Sequence, residues 1–535
     1  MWRCNANGLR SSAVANVPPP PEAPFFLPSP ASAYNKSVAM KALRRRDQDT
    51  MTVFPYLREM ADRAFSRAAG APLIGGNQVR LLRDARENYP AWLDAIEKAE
   101  HYIHFESYII HDDEVGNQFA EALISKAREG VAVRLIYDWL GALGKASRRF
   151  WKRLQDGGVE VRCYNPPRFE SPLGWLSRNH RKTLTVDGKV AFVTGLCVGR
   201  MWAGDPARNL EPWRDTGVEL RGPAVRQVER AFAETWAEMD GGPILDIPRF
   251  EDDAREAGEM NVRIVATEPA TAGMLRLDQL VAALARDRLW LTDAYYAGTT
   301  SYLQALRAAA KDGVDVRLLV PNGTDIPLLR PLSRAGYRPL LEAGVRIFEW
   351  NGTMLHAKTA VADGRWARVG STNLNIASWL GNLELDIVIE DRSFGLQMEQ
   401  MYLEDLSNAT EVVLTEKQRV QSPGEPRHPR PARLREGGSG SRAAAGALRV
   451  SNVIGAAFTG RRVLGPVEAR LTLISGLLLC ALAILFLILP SLLVYPVVVL
   501  CAWGGITLVY RGIHLWHKRE RRREPANQSS VGKKA

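Results

Sequence analysis

The sequence predicts an α/β protein built from two copies of one domain, followed by a pair of membrane-spanning helices. Three observations predict it. From about residue 75 to 415, amphipathic helical patterns alternate with short runs of β-branched residues, the signature of α/β layers. The same units recur in the same order roughly 185 residues later, far longer than the ~20–50-residue period of a solenoid, so a whole domain is duplicated. Finally, Leu471–Tyr510 is forty residues without a charge.

Residues 1–55 contain "VPPPPEAPFFLPSP" and "KALRRR" without a sustained apolar period, and read as a disordered leader. It has no apolar h-region of a signal peptide, and translation from Met40 or Met51 would remove nearly all of it. The duplicated domain fills residues 72–245 and 255–415. "HYIHFESY" returns as "RLWLTDAY", "ALISKAREGVAVRLIYD" as "QALRAAAKDGVDVRLLVP", and "LQDGGVEVRCYNPP" as "LLEAGVRIFEWNG". Each of the last two is a helix, a Gly-led turn and an apolar strand. Residues 421–465, rich in Pro, Gly, Ser and Arg, form a flexible linker.

The uncharged run at 471–510 would make a single helix ~60 Å long, about twice a hydrocarbon core of ~30 Å. Pro490-Ser491 divides it near its middle, so a helical hairpin fits better. Arg461, Arg462 and Arg470 flank one end; Arg511, Lys518, Arg519 and Arg521 to Arg523 flank the other. The positive-inside rule then puts both ends, the body joined by the linker and the basic tail at 511–535 in the cytoplasm, as in a multi-pass protein of a bacterial inner membrane.

The net charge of +11 belongs to the tail. Of 70 Lys+Arg and 59 Asp+Glu, 17 and 5 fall after Val420, leaving 53 against 54 before it. A body at −1 lacks the clustered cations with which a nucleic-acid groove displaces counterions. The five cysteines show no CxxC and no Cys/His metal spacing, which fits reduced thiols facing the cytosol.

The chemistry sits in "NHRKTLTVDGKVAFVTGLC" and "LHAKTAVADGRWARVGSTNLN". Each reads as a strand, an Asp-Gly turn and a second strand, a hairpin signal. Alternate side chains share a strand face, so His180 projects with Lys182, and His356 with Lys358. Both copies are H-x-K-x4-D-G, through Asp187 and Asp363. One such histidine is as a rule a satisfied core residue; two, each at the end of its own repeat, point to a shared site. Two lysines neutralise an anionic tetrahedral centre without a metal; one neutral imidazole attacks phosphorus and a protonated one donates to the leaving alkoxide. No carboxylate set for Mg²⁺ and no phosphate-binding Gly-x4-Gly-Lys-Ser/Thr loop is found, so no cofactor and no metal are expected. Asp215 and Glu384, 35 and 28 residues after the histidines, head runs that look like neighbouring strands. The pattern alone fits imidazole-orienting carboxylates or solvated strand-end acids equally.

The full motif H-x-K-x4-D-G-x5-G-S-x-N, complete at His356, Lys358, Asp363, Gly364, Gly370, Ser371 and Asn373, resembles the signature of the phospholipase D superfamily. "FESYIIHDDEVGNQFAEAL", "PWRDTGVELRGPAV" and "GSTNLNIASWLGNLEL" are similar, more narrowly, to bacterial cardiolipin synthases. The resemblance spans about residues 72 to 415. It implies two pseudo-symmetric α/β/α sandwich lobes with the site between them, and a ping-pong reaction through a phosphatidyl-histidine. Phosphatidylglycerol is then the substrate and an anionic phospholipid membrane the partner, with no nucleic acid. It also makes Asp215 and Glu384 histidine-supporting acids, Ser371 and Asn373 phosphate contacts, His180 the nucleophile and His356 the acid. The first copy departs from the pattern, with Thr194 at the Gly position and Cys197 at the Asn position, while Gly195 fills the Ser/Gly position. A thiol cannot replace an amide as a strong donor to phosphate oxygen, which leaves the first half's phosphate contacts open. Water as acceptor (a phospholipase D), a nucleic-acid phosphodiesterase and an inactive membrane scaffold are the competing readings.

Overall fold

The computed structural model describes residues 59–167, 177–241, 256–323 and 336–414, with scattered residues between and after these stretches. Of an N-terminal unit, Met1–Arg63, residues 59–63 are described, all helical; the fold belongs to the unit that starts at Ala64. The expected leader over 1–55, the basic tail and the linker, apart from its first residue Gln421, lie outside the described residues.

The first copy runs β1 (Ile74–Arg83), α1 (Asp84–Glu97), β2 (Tyr102–Ser107), α2 (Glu114–Arg128), β3 (Ala132–Asp138), α3 (Arg148–Asp156), β4 (Glu160–Tyr164), β5 (Thr183–Val186), β6 (Val190–Thr194), β7 (Thr216–Arg221) and α4 (Val225–Trp236). The second runs β8 (Met260–Thr267), α5 (Gly273–Leu284), β9 (Arg288–Thr292), α6 (Thr300–Lys311), β10 (Asp315–Pro321), β11 (Arg346–Trp350), β12 (Thr359–Ala362), β13 (Trp366–Gly370), β14 (Glu384–Glu390), α7 (Arg392–Ser407) and β15 (Ala409–Leu414). Strand order in the first copy is β1-β7-β6-β5-β2-β3-β4; in the second, β8-β14-β13-β12-β9-β10-β11, with β15 added at the edge. Element by element the two orders are the same.

Within each copy the βαβ strands (β2-β3-β4 and β9-β10-β11) are parallel, as crossover helices require, and the remaining pairs are antiparallel. The copies join edge to edge: β1 pairs antiparallel with β8 through Ile74↔Val262 and Asn77↔Met260. One mixed sheet thus runs through both lobes, a continuity the two-sandwich expectation did not contain. Helices cover both faces of each half. Phe119, Leu123, Phe150 and Leu154 bury against one face of the first half, and α5 and α6 do the same in the second. A third core lies between the lobes. There Val193 and Val218 meet Val369 and Leu385, flanked by α4 and α7.

Both Asp-Gly hairpins form. Asp187 and Gly188 have φ of 52° and 63°, Asp363 and Gly364 51° and 59°. Positive φ at both central residues is the turn whose twist matches the flanking strands, and Asp and Gly are the residues that tolerate it.

Among the described residues no helix is long and apolar enough to cross a membrane. The run expected to form a hairpin at 471–510 is described only in fragments. Residues 480–488 are helical up to the break at Pro490, and Ile484, Leu485, Leu487 and Ile488 are all exposed, the last two by 80% and 70%.

Candidate active site

Each H-x-K segment enters its strand by pairing with the other lobe. His180 N donates to Leu383 O (2.9 Å) and Leu383 N to Arg178 O (2.8 Å). Likewise His356 N donates to Arg214 O (2.7 Å) and Arg214 N to Met354 O (2.8 Å). These two short parallel bridges lay each histidine beside the residue that heads the opposite lobe's supporting strand. His180 Nδ1 meets Glu384 at 2.8 and 3.1 Å, and Ser371 O at 3.1 Å. His356 Nδ1 meets Asp215 Oδ2 at 2.7 Å. Both predicted acids therefore do face an imidazole, but exchanged: chain proximity pairs Asp215 with His180, whereas the fold pairs it with His356. With Nδ1–H donating to a carboxylate, Nε2 of each ring keeps its lone pair.

The acids are held in turn. Trp202 Nε1 donates to Asp215 Oδ2 (3.2 Å) and Thr216 N to Oδ1 (2.9 Å); Asn382 Nδ2 donates to Glu384 Oε1 (3.3 Å). A Cβ on Gly195 would run into Asp215 Oδ1, so glycine at that position makes room for the carboxylate. Arg214, buried next to Asp215, grips Asp405 of the second lobe through Nε (2.8 Å) and Nη2 (2.9 Å), and Asp84 of the first through Nη1 (3.0 Å).

Lys182 and Lys358 are buried, and each ammonium donates to the carbonyl of the histidine two residues before it. Both lysines depress both imidazoles, which places all four groups in one electrostatic cluster. Burial, then the lysines, bring His356 down to about 3, against the opposing pull of Asp215. Burial likewise lowers His180. Lys358 falls to about 8 through burial. Asp215 and Glu384 resist burial because the facing histidine and the lysines hold them below the usual carboxylate range. The cleft thus presents neutral imidazoles backed by ionised carboxylates.

Two expectations drawn from the motif, Asp187 and Asp363 among the catalytic residues and Ser371 as a phosphate contact, meet other partners in the structure. Asp187 accepts from the backbone amides of Glu100, His101 and Tyr102, and Asp363 from those of Arg286, Asp287 and Arg288, all at 2.8–2.9 Å. They lie at the turn end of β5 and β12, five residues past the lysines, about 16 Å along an extended chain. Their carboxylates tie the hairpin to the start of β2 or β9. Ser371 is also spoken for: its hydroxyl accepts from Leu385 N (3.0 Å) and its carbonyl faces His180, so it positions the nitrogen base and its acid. Asn373 is buried, and its Oδ1 has no hydrogen-bond partner among the described residues. In the first copy Cys197 is buried and offers its carbonyl to the Tyr89 hydroxyl (2.7 Å).

Aromatic residues complete the cleft, and sequence reasoning passed over them. Tyr108 stands edge-on to His180 (ring centroids 4.9 Å apart) with Lys182 Nζ 5.3 Å from its ring. Tyr295 stands likewise to His356 (5.9 Å) and Lys358 (5.8 Å). These tyrosines are the last letters of the repeated "HYIHFESY" and "RLWLTDAY", so the duplication held the signal. Trp202 and Trp213 add two more rings around His356, at 5.7 and 5.6 Å, with no equivalent against His180 among the described residues. Among the described residues no group of three His, Cys, Asp or Glu side chains could hold a metal ion.

A family model described as "Cardiolipin synthase, PLD-like domain" matches residues 92–236 and 281–406. A cardiolipin synthase of Alkalihalophilus pseudofirmus is 33% identical over 345 residues, 64% of this chain and 68% of that protein. Cardiolipin synthase A of Pseudomonas fluorescens is 33% identical over 65% of this chain and 73% of its own. Among solved structures, phosphatidylserine synthase of Haemophilus influenzae superposes with a TM-score of 0.52 at 12% identity, covering 65% of this chain and 91% of that one, a likeness of fold. Two H-x-K motifs on duplicated lobes, each histidine backed by the other lobe's acid, accompany this similarity across both repeats: the chain belongs to the cardiolipin synthase family of phospholipase D-like proteins.

Proposed function

We propose that the cleft moves a phosphatidyl group from one phosphatidylglycerol to a hydroxyl of a second, releasing glycerol and forming cardiolipin. The observation that carries this reading is the cross-lobe exchange. It brings two carboxylate-backed neutral imidazoles and two buried ammonium groups into one cluster fit for a phosphodiester.

His180 Nε2 attacks phosphorus and the P–O bond to glycerol breaks, with Glu384 stabilising the positive charge that develops on the ring. His356 protonates the departing alkoxide. It takes that proton from water as the substrate binds, because the substrate's negative charge offsets the lysines that depress the imidazole. The second phosphatidylglycerol hydroxyl then attacks the phosphatidyl-histidine, gives its proton to neutral His356, and the P–N bond breaks. Lys182, Lys358 and Asn373 carry the phosphate oxygens. The lysines supply the neutralisation, so the reaction needs no cofactor.

The uncharged run at 471–510 anchors the enzyme as a helical hairpin, with the body and both termini cytoplasmic. The exposure of Ile484, Leu485, Leu487 and Ile488 supports that anchor, since a water-facing helix would not leave Leu487 and Ile488 bare. Reporter fusions at each terminus test the topology; periplasmic signal from either would refute it.

Product analysis by mass spectrometry tests the chemistry. Full-length protein with phosphatidylglycerol vesicles yields cardiolipin and glycerol; phosphatidic acid alone would make water the acceptor and the protein a phospholipase D. Cleavage of DNA without action on lipid would favour a nucleic-acid phosphodiesterase, and undiminished activity in His180→Ala would make the first motif a scaffold.

A further inference from the structure

The first lobe carries a surface that this chemistry leaves unused. In a body of net charge −1, residues 144–153 hold five cations, Lys145, Arg148, Arg149, Lys152 and Arg153, and no acid. Helix α3 turns Phe150, Trp151 and Leu154 into the core, which directs Arg148, Arg149 and Lys152 outward. Lys152 and Arg153 have acid partners in Asp156 and Glu121. Among the described residues Arg148 and Arg149 have none, nor does Arg128, across a groove of about 460 Å³ between α2 and α3. The second lobe differs: Arg334 is bound to Glu349 and Arg338 to Glu342.

Beside the cations is an apolar tip. Leu143, in the loop that leads into α3, is 56% exposed. That loop is tied to the catalytic cleft. Asp138 Oδ1 accepts from Leu140 N (2.8 Å) and Gly141 N (3.0 Å), while its Oδ2 accepts from Asn179 N (2.9 Å), one residue before His180.

We propose that Leu143 and the outward cations of α3 are the seat of the catalytic body on an anionic bilayer. Unpaired cations with an adjoining apolar side chain match a surface of phosphate headgroups over acyl chains. The seat adjoins the segment that carries His180, so headgroups held there lie at the mouth of the cleft. A duplex would need cations along a track, and this patch ends in leucine. The inference rests on the phosphatidyltransferase reading, since it supplies that reaction's substrate from the membrane plane.

The test uses full-length protein reconstituted in vesicles of phosphatidylglycerol in phosphatidylcholine, with pure phosphatidylcholine as control. Hydrogen exchange over residues 139–156 is expected to slow only on the anionic vesicles. The triple variant R148Q/R149Q/K152Q is expected to raise KM for vesicle phosphatidylglycerol about tenfold or more at unchanged kcat. Leu143→Asp, at an exposed position, is expected to shift KM the same way. Turnover of a monomeric short-chain phosphatidylglycerol stays at the wild-type rate in both variants. Wild-type KM on vesicles in both variants would overturn the proposal, as would loss of monomeric turnover or equal protection by glycerol phosphate or DNA alone. Absence of monomeric turnover in the wild-type protein would instead refute the phosphatidyltransferase reading, whatever the exchange data show.

Discussion

At the residue scale the two histidines are alike in motif and unlike in surroundings. His180 shares Glu384 and a carbonyl; His356 shares Asp215 and sits among three rings. If His356 is the acid, its supporting carboxylate matters in the first step only for poor leaving groups. Asp215→Asn is therefore expected to lower kcat on phosphatidylglycerol about 10³–10⁴-fold, yet to keep the first-turnover burst of p-nitrophenol from a phosphatidyl ester of p-nitrophenol, which departs without a proton. Glu384→Asn, on the nucleophile, is expected to be slow on both esters; a burst kept by Glu384→Asn but not Asp215→Asn would reverse the roles. The lysines set the alkaline limit. Lys358 titrates at about 8, and it neutralises phosphate only while protonated, so kcat/KM falls as pH rises through that value. A pH–rate profile flat to pH 10 would contradict this. Gly195 and Asn373 were legible as motif positions. Trp202 and Trp213 were not, because nothing local marks a tryptophan that will reach an imidazole in the other lobe.

At the element scale the H-x-K-x4-D-G hairpin divides its labour. Its His and Lys end enters the cleft, and its Asp-Gly end clamps three backbone amides of the neighbouring strand. The motif was readable in full, but a strand's length separates residues that a sequence pattern writes together. The Asp in the motif thus belongs to stability. Asp187→Ala leaves three amides without their charged acceptor and is expected to destabilise the protein by about 2–4 kcal/mol. Urea unfolding measures that loss, and kcat/KM at a temperature where the variant is folded should change by less than tenfold. A loss as large as that of Lys182→Ala would restore Asp187 to the catalytic set.

At the scale of the whole molecule, catalysis depends on how the lobes register. The shared sheet edge at β1–β8, the core between them and the Arg214 clamp fix that register. Arg214→Ala strands two carboxylates, Asp405 and Asp84, and is expected to cost about 3–5 kcal/mol and to slow turnover by displacing Asp215. A Tm and rate equal to wild type would remove the clamp from the account. Treatment with EDTA is expected to leave activity unchanged; inhibition reversed by a divalent metal would contradict the lysine-only neutralisation.

Duplication, alternating α/β pattern, Asp-Gly turns and the paired His-Lys motifs were all determined by the sequence. Each is a local property, carried by residues within a few positions of one another or by a repeat visible at a glance. Only the tertiary structure decided which acid serves which histidine, because the bridges at Asn179–Leu383 and Arg214–Leu355 join segments 204 and 141 residues apart in chain terms. It likewise decided the edge that fuses two sheets into one, since backbone edges pair by geometry and leave no motif behind.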